Sequence, residues 1–148
     1  MMNTIVELRF VETNDIPEAS EFVLMALNDM GMQNDCIDLL GSEFTDRLQR
    51  FPKNILLAFD KSNNDTIIGF LEIDPDKSTP GHIVIKNLYV LPAYRKQGIA
   101  TSLVNKMIEQ KCSVGDELHV EVSNENDKRY WEKLQFKTKT MVLSLKKQ

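Results

Sequence analysis

The sequence predicts a single-domain α/β protein in which helices cover both faces of a mixed sheet. One observation is the order of strand-like and helix-like segments along the 148 residues, which is β, α, α, β, β, β, α, β, α, β. A second is an apolar strand that leads through a basic loop into an amphipathic helix and then another strand, as in a β–α–β unit. Since no repeat, composition shift or linker divides residues 1–148, we expect one domain.

The chain opens with a predicted strand and a predicted helix. Thr4–Val11 is rich in β-branched and aromatic residues, which strands favour. From Ile16 to Met30, apolar residues recur at the spacing of one helical face. Pro17 suits the first turn of this helix, and Gly31 suits its end.

A second helix is expected next. Asn34 or Asp35 can cap its beginning, and Phe51-Pro52 ends it because proline disfavours a helical conformation in the residue before it. Gly41 lies inside this helix, where glycine is less favourable than other residues. The sequence therefore allows a break at Gly41.

Two strand-like runs then predict an antiparallel hairpin. The runs are Asn54–Asp60 and Thr66–Asp74, and both are rich in β-branched and aromatic residues. Residues 62–65 between them are strong turn formers, which join antiparallel strands. A polar loop over residues 74–81 follows the hairpin.

The last part of the chain contains the β–α–β unit. His82–Leu91 is an apolar strand, and Gly98–Lys111 has the spacing of an amphipathic helix. Glu117–Ser123 alternates as a strand does, and the right-handed crossover rule makes it parallel to the strand before the helix. Asn124–Leu134 predicts a short helix, and Phe136–Leu145 predicts a last strand or two.

The basic loop between strand and helix predicts an anion site. It contains Tyr94, Arg95, Lys96 and Gln97, and Gly98 lets the backbone approach a ligand closely. The start of a helix offers unpaired N–H groups and the positive end of the helix dipole. These features together suit a diphosphate-like group.

The same region resembles a known family. The run LYVLPAYRKQGIATSLVNKMI resembles the acetyl-CoA-binding segment of the GNAT acetyltransferases, whose pattern Arg/Gln-x-x-Gly-x-Gly/Ala is matched by Arg95, Gly98 and Ala100. Asn124–Phe136 (NENDKRYWEKLQF) resembles the family's downstream segment. The resemblance covers nearly the whole chain. It implies the GNAT-type fold, a mixed, mostly antiparallel sheet with splayed central parallel strands and helices on both faces.

The resemblance also implies acetyl-CoA as the acyl donor. Backbone groups of Leu88, Tyr89 and Val90 would bind the pantetheine arm, and Asn124 would contact that arm or the helix before it. An N–H near Val90 would stabilise the oxyanion that forms when an amine attacks the thioester. The backbone groups implied at the pyrophosphate belong to Arg95, Lys96, Gln97, Gly98, Ile99, Ala100 and Thr101.

One departure from the family concerns the catalytic acid. Trp131 stands where the family often has a tyrosine that protonates the leaving thiolate, and an indole N–H is a poor acid. Tyr130, one position earlier, points about 100° away on the helix. We take Tyr130 as the candidate acid, with Tyr94 or water as alternatives. Trp131 lies either beside the cofactor or in the core.

A general base is expected to remove a proton from the attacking amine. Glu72 is the leading candidate, because it lies in the middle of a predicted strand among apolar residues. For every candidate the alternative is an ordinary solvated or hydrogen-bonded side chain. The other candidates are Asp74, His82, His119 and Glu121.

Charge suggests the kind of acceptor. The net charge is −4, and residues 11–50 carry nine carboxylates but only two arginines. In the family this region lines the acceptor side, so an acidic wall would favour a cationic amine; solvated helix faces are the alternative. The net acidity argues against nucleic acid as a partner.

Cysteine and histidine spacing predicts neither a metal site nor a disulfide. The two cysteines and two histidines are all far apart in the sequence, so the paired spacings of zinc sites are missing. We expect a reducing, cytoplasmic location, without a signal peptide, a membrane span or a membrane partner. A homodimer is compatible with the sequence.

The sequence thus predicts an acetyl-CoA-dependent N-acetyltransferase that acts on a primary amine of a small molecule or peptide. The alternative is a CoA-binding regulatory or interaction module without catalysis. Trp131 in the tyrosine position motivates that alternative.

Overall fold

The computed structural model describes residues 4–31, 34–122 and 124–139, with the backbone alone for residues 34–39. Its five strands form one sheet in the order β1-β2-β3-β4-β5. The strands are β1 (Val6–Phe10), β2 (Ile55–Asp60), β3 (Thr66–Ile73), β4 (His82–Val90) and β5 (Glu117–Val120). The helices are α1 (Ile16–Asp29), α2 (Asn34–Arg50), α3 (Ile99–Lys111) and α4 (Glu125–Lys133).

Strand pairing confirms the predicted sheet. β1, β2, β3 and β4 pair antiparallel in sequence order, which includes the predicted β2–β3 hairpin. β4 and β5 pair parallel on either side of α3, as the β–α–β pattern predicts. The sheet is therefore mixed and mostly antiparallel.

Helices cover both faces of this sheet, as predicted. Side chains alternate along β2, so that Ile55, Leu57 and Phe59 pack with α1 and α2, whereas Leu56 and Ala58 pack with α3. All five are buried. The sheet therefore separates two apolar clusters, and β4 lies between them with one face toward each.

The allowed break at Gly41 does not occur, since α2 continues from Asn34 to Arg50. A Cβ atom at position 41 would collide with Cδ2 of Leu24 in α1. Glycine thus leaves room for the end of the Leu24 side chain where α1 lies against α2. Sequence alone does not reveal this, because Leu24 lies in another helix.

Strand β5 is shorter than predicted, and the described part of the last predicted strand is not a strand. β5 ends at Val120 rather than Ser123, which lies outside the described residues. Residues 136–139 form no strand, and the remainder of the predicted strand Phe136–Leu145 also lies outside the described residues. Phe136 instead packs against Trp131, with 5.1 Å between ring centroids. Among the described helices, none has the length and apolar character needed to cross a membrane.

Candidate active site

Among the described residues, strand β4 has no partner strand on its β5 side beyond Ile85, and an extended ligand can bind at this edge. β4 pairs with β5 only over His82–Ile85, whereas its pairing with β3 continues to Val90. The N–H of Leu91 donates to the carbonyl of Ile68 at 2.8 Å. Because backbone groups alternate in direction along a strand, those of Val90 and Leu88 point away from β3. They point into the gap that opens beyond the end of β5, which is the predicted splay.

The loop after β4 leads into a helix start whose first backbone N–H groups have no helical acceptors. Lys96 and Gly98 have left-handed backbones, with φ of 63° and 81°. Gly98 is the N-cap of α3, and the first helical bond runs from the N–H of Ser102 to its carbonyl at 3.0 Å. The N–H groups of residues 99–101 precede that bond and lack helical acceptors. A left-handed residue before a helix start forms a concave anion site.

There is room for a ligand at this helix start. A Cβ atom built on Gly98 would meet nothing within 4 Å. Arg95, Lys96 and Gln97 are all exposed. The residues therefore fit a pyrophosphate in space, in charge and in available donors. The individual contacts from residues 95–101 stay predictions.

The Arg95 side chain turns back toward β4 instead of toward the helix start. Its Nε donates to the carbonyl of Val90 at 2.8 Å, and its guanidinium lies 5.4 Å from the Tyr89 ring centroid. With the Val90 carbonyl engaged, the N–H of Val90 is the backbone group of that residue left pointing into the gap. Arg95 thereby holds the last residue of β4 in place.

Asp29, the last residue of α1, completes this cluster. The Tyr89 hydroxyl donates to Oδ2 of Asp29 at 2.7 Å, and Nη2 of Arg95 lies 3.4 Å from the same oxygen. Burial, and then the hydrogen bond to Asp29, raise the pKa of Tyr89. Sequence reasoning missed Asp29, because it is 60 residues from Tyr89. Only its position at a helix end near β4 links it to the site.

Glu72, the predicted base, is buried and fully engaged. Its exposed fraction is 1%, and its carboxylate accepts from Nε of Arg47 at 2.6 Å and Nη2 of Arg47 at 3.2 Å. It also accepts from Nδ2 of Asn87 at 2.8 Å. Protonating Glu72 would disrupt the ion pair with Arg47. Its role as a base stays a prediction, and its contacts favour a role in positioning Asn87 on β4.

The other base candidates lie away from the end of β4. His82 begins β4 and lies 3.2 Å from His119 on β5, so this pair is about 26 Å along the strand from Val90. Asp74 accepts the N–H groups of the turn that follows it. Glu121 is exposed and pairs with a lysine. The fold does not bring His82, His119 or Asp74 to the gap, whereas Glu121 directly follows β5, where the gap begins.

Tyr130 and Trp131 occupy different environments on α4. Tyr130 remains 45% exposed, whereas Trp131 packs against the α3-side cluster. Burial raises the pKa of Tyr130, and nearby Arg95 lowers it. The phenol is therefore protonated at neutral pH and close enough to the loop to respond to its charge. Tyr130 as acid and Trp131 as a cofactor contact stay predictions.

Two further candidates have clear local partners. Asn124 caps α4, since its Oδ1 accepts from the N–H of Asp127 at 2.8 Å. Its predicted contact with the pantetheine arm stays a prediction. The Tyr94 hydroxyl donates to buried Asp60 at 2.7 Å, which raises the pKa of Tyr94. This bond makes Tyr94 a weaker choice than Tyr130 for the acid.

A cleft of about 580 Å³ opens on the α2 side of the sheet. Its walls come from α2 and from the segment after β3, and Lys86 of β4 also lines it. Arg47, which holds Glu72, is one of its wall residues. Carboxylates and cations both line the cleft, so it is less uniformly acidic than the composition of residues 11–50 predicts.

Sequence and structure comparisons agree with these observations. Residues 26–136 match the acetyltransferase (GNAT) family. No curated protein sequence matches the chain. The structure is similar to diaminobutyrate acetyltransferase EctA from Paenibacillus lautus in complex with L-2,4-diaminobutyric acid and coenzyme A. That comparison has 22% identity and a TM-score of 0.58, and covers 90% of this chain and 74% of that one.

Two other solved structures have the same fold. A predicted acetyltransferase with acetyl-CoA from Clostridium acetobutylicum has 19% identity and a TM-score of 0.66, with 96% of each chain covered. Aminoglycoside acetyltransferase meta-AAC0020 from an uncultured soil metagenomic sample, in complex with sisomicin, has 15% identity and a TM-score of 0.67. Coverage there is 97% of this chain and 95% of that one. The family match extends over most of the described residues, and this chain belongs to the GNAT family of acetyltransferases.

Proposed function

We propose that the protein transfers the acetyl group of acetyl-CoA to a primary amine of a small molecule or peptide. The observation that carries the proposal is the free edge of β4 at Leu88–Val90, followed shortly by the amide-rich helix start at Gly98. An extended pantetheine arm requires backbone partners, and a pyrophosphate requires N–H donors. In this protein the unpaired strand edge and the helix start are separated only by the short loop after β4. Coenzyme A and acetyl-CoA in two structural neighbours support this assignment.

The strand end and the loop would each bind a different part of acetyl-CoA. Backbone groups of Leu88 and Val90 would hold the pantetheine arm, and those of residues 95–101 the pyrophosphate. The backbone groups of Tyr89 point toward β3, so the contact predicted from Tyr89 is not part of this proposal. Bound acetyl-CoA supplies an activated thioester. The N–H of Val90 would then stabilise negative charge on the thioester oxygen, and Arg95 keeps that donor oriented before the reaction begins.

Asp29 is our candidate for placing the amine. Its carboxylate lies at the end of β4 through its bond to Tyr89 and is itself exposed. A carboxylate here would attract the ammonium form of the acceptor, which agrees with the acidic composition of residues 11–50. Two neighbours are complexes with L-2,4-diaminobutyric acid and sisomicin, and both molecules carry amino groups. We therefore propose a cationic amine as acceptor.

Tyr130 would protonate the departing thiolate, because it is a protonated phenol near the loop. Glu72 would act through Asn87 and Arg47 to keep β4 and α2 in place, and proton removal by Glu72 is the less favoured alternative. A cytoplasmic location, a homodimer and the absence of a nucleic-acid partner remain part of the proposal.

An amine panel tests the proposed activity. We expect CoA thiol release from acetyl-CoA to depend on protein and on a cationic amine, with acetylated product detected by mass spectrometry. Calorimetry with CoA is measured in parallel. CoA binding without turnover on any amine would indicate a binding module, whereas failure to bind CoA would contradict the assignment of the β4 edge and the loop.

A further inference from the structure

The only two histidines of the chain, His82 and His119, lie side by side at the end of the β4–β5 pair remote from the loop. In the parallel register, His82 is opposite Glu117, and His119 is opposite Val84. Alternate residues of a strand share a face. The side chains of His82, Glu117 and His119 therefore project from one face of the sheet.

This face is open to solvent at the cluster. The intervening residues Ile83 and Leu118 pack toward the α3-side cluster, so the two histidines and Glu117 face the other way. Glu117 and His119 are half-buried, and His82 is exposed. An ion can therefore reach all three side chains without any rearrangement of the strands.

The distances suit a tetrahedral metal ion. Nδ1 of His82 lies 3.2 Å from Nε2 of His119. Two imidazole nitrogens bound to one tetrahedral zinc would lie about 3.3–3.4 Å apart. Oε1 of Glu117 is 4.0 Å from the same His119 nitrogen, and one ligand atom from each residue lies within 4.8 Å of the others. A small shift of the carboxylate completes the geometry.

A cation already contacts this carboxylate. Nζ of Lys139 binds both oxygens of Glu117, and this bond is the main cause of the lowered pKa of Glu117. The lysine supplies one positive charge and no contact to the histidines in the described structure. A divalent ion that also binds two imidazoles would compete with it for Glu117.

We propose that His82, Glu117 and His119 form a binding site for a divalent transition-metal ion of the zinc class. Two histidines and one glutamate are a known zinc ligand set, which leaves the fourth position to water. The ion would join β4 to β5 and stabilise the folded chain by mass action. The prediction of no metal site rested on spacing along the sequence, whereas these ligands meet through strand register.

The test titrates the chelator-treated full-length protein with zinc chloride, followed by calorimetry and thermal unfolding. We expect one zinc per chain and a higher unfolding temperature. His82→Gln and His119→Gln should each weaken binding by at least about tenfold, with the circular dichroism spectrum unchanged. Lys139→Met should bind zinc more tightly, because the competing ammonium is removed.

Two control variants separate this site from other zinc ligands. Glu121→Gln alters a nearby exposed carboxylate, and Cys36→Ser with Cys112→Ser removes both thiols; each should bind zinc like the wild type. The proposal is overturned if no zinc binds at about 100 μM, if the histidine variants bind normally, or if loss of the thiols abolishes binding. None of these measurements depends on acetyl transfer.

Discussion

Nε of Arg95 donates to the backbone carbonyl of Val90 at 2.8 Å, which ties the loop to the last residue of the strand before it. A charged hydrogen bond of this kind contributes about 1.5–3 kcal/mol. We expect Arg95→Leu to weaken CoA binding about tenfold, because both the strand end and the loop lose their mutual support. Calorimetry measures this change. Lys53→Met removes an exposed cation elsewhere and should bind CoA normally. If both variants weaken CoA binding equally, the loss of a positive charge explains the effect, and the bond to Val90 does not.

Gly98→Glu tests the helix start. It places bulk and negative charge where the pyrophosphate is proposed to lie, so CoA binding should be abolished with a smaller effect on folding. Gly115→Glu is the matched control, since Gly115 also has positive φ (95°, against 81° for Gly98) and open space around its Cβ position. CoA affinity that is unchanged in Gly98→Glu would exclude this loop as the phosphate site.

Tyr130 and Trp131 are tested as a pair. Tyr130→Phe removes the proposed acid and should lower kcat about tenfold or more, with little change in KM for acetyl-CoA. Trp131→Phe should leave kcat within about twofold, because Trp131 packs against Phe136 and the core. Because burial raises the pKa of Tyr130, the rate should begin to fall only at a higher pH than that at which an ordinary tyrosine ionises. A collapse of kcat in Trp131→Phe at unchanged stability would reverse the assignment.

Glu72→Gln should destabilise the fold by about 3–5 kcal/mol, since it leaves Arg47 partly buried without its counter-ion. Urea unfolding at neutral pH measures the change. Asp46→Asn breaks an exposed ion pair with Arg50 and should cost about 0–1 kcal/mol. If Glu72→Gln keeps wild-type stability but loses kcat, Glu72 is a base rather than a positioning residue.

Protonation of Asp15 at acid pH should lower the free energy of unfolding. Burial raises its pKa, but the hydrogen bonds from Arg9 and from the N–H of Glu12 outweigh this, and the pKa is lowered from 3.8. The pair with Arg9 therefore stabilises the fold above about pH 4, and this contribution is lost as the pH falls through the lower folded pKa. Unfolding free energies measured below pH 4 should fall less steeply in Asp15→Asn.

The Asp15 comparison needs a variant that removes a carboxylate without a buried partner. Asp46→Asn serves here, because Asp46 is exposed. If Asp15→Asn and wild type lose stability equally as the pH falls, the Arg9 pair does not contribute to acid sensitivity.

The sequence by itself predicted most of the helices and strands and the position of the basic loop before α3. Some signals act between residues that are close in the sequence: the helical spacing after Gly98, the turn formers at residues 62–65 and the basic residues before α3. Local rules therefore suffice to predict the β2–β3 hairpin, the parallel β4–β5 pair and the loop. The same rules allowed a break at Gly41, because they do not include the contact with Leu24.

Only the tertiary structure decided which distant side chains meet. Asp29 reaches Tyr89 through the end of α1, Glu72 meets Arg47 through helix–sheet packing, and His82 meets His119 through strand register. Each pair is separated by 25 or more residues, so its contact depends on how whole elements pack. For that reason the loop before α3 was predictable from the sequence, while the contact between Asp29 and Tyr89 and the histidine pair became visible only in the fold.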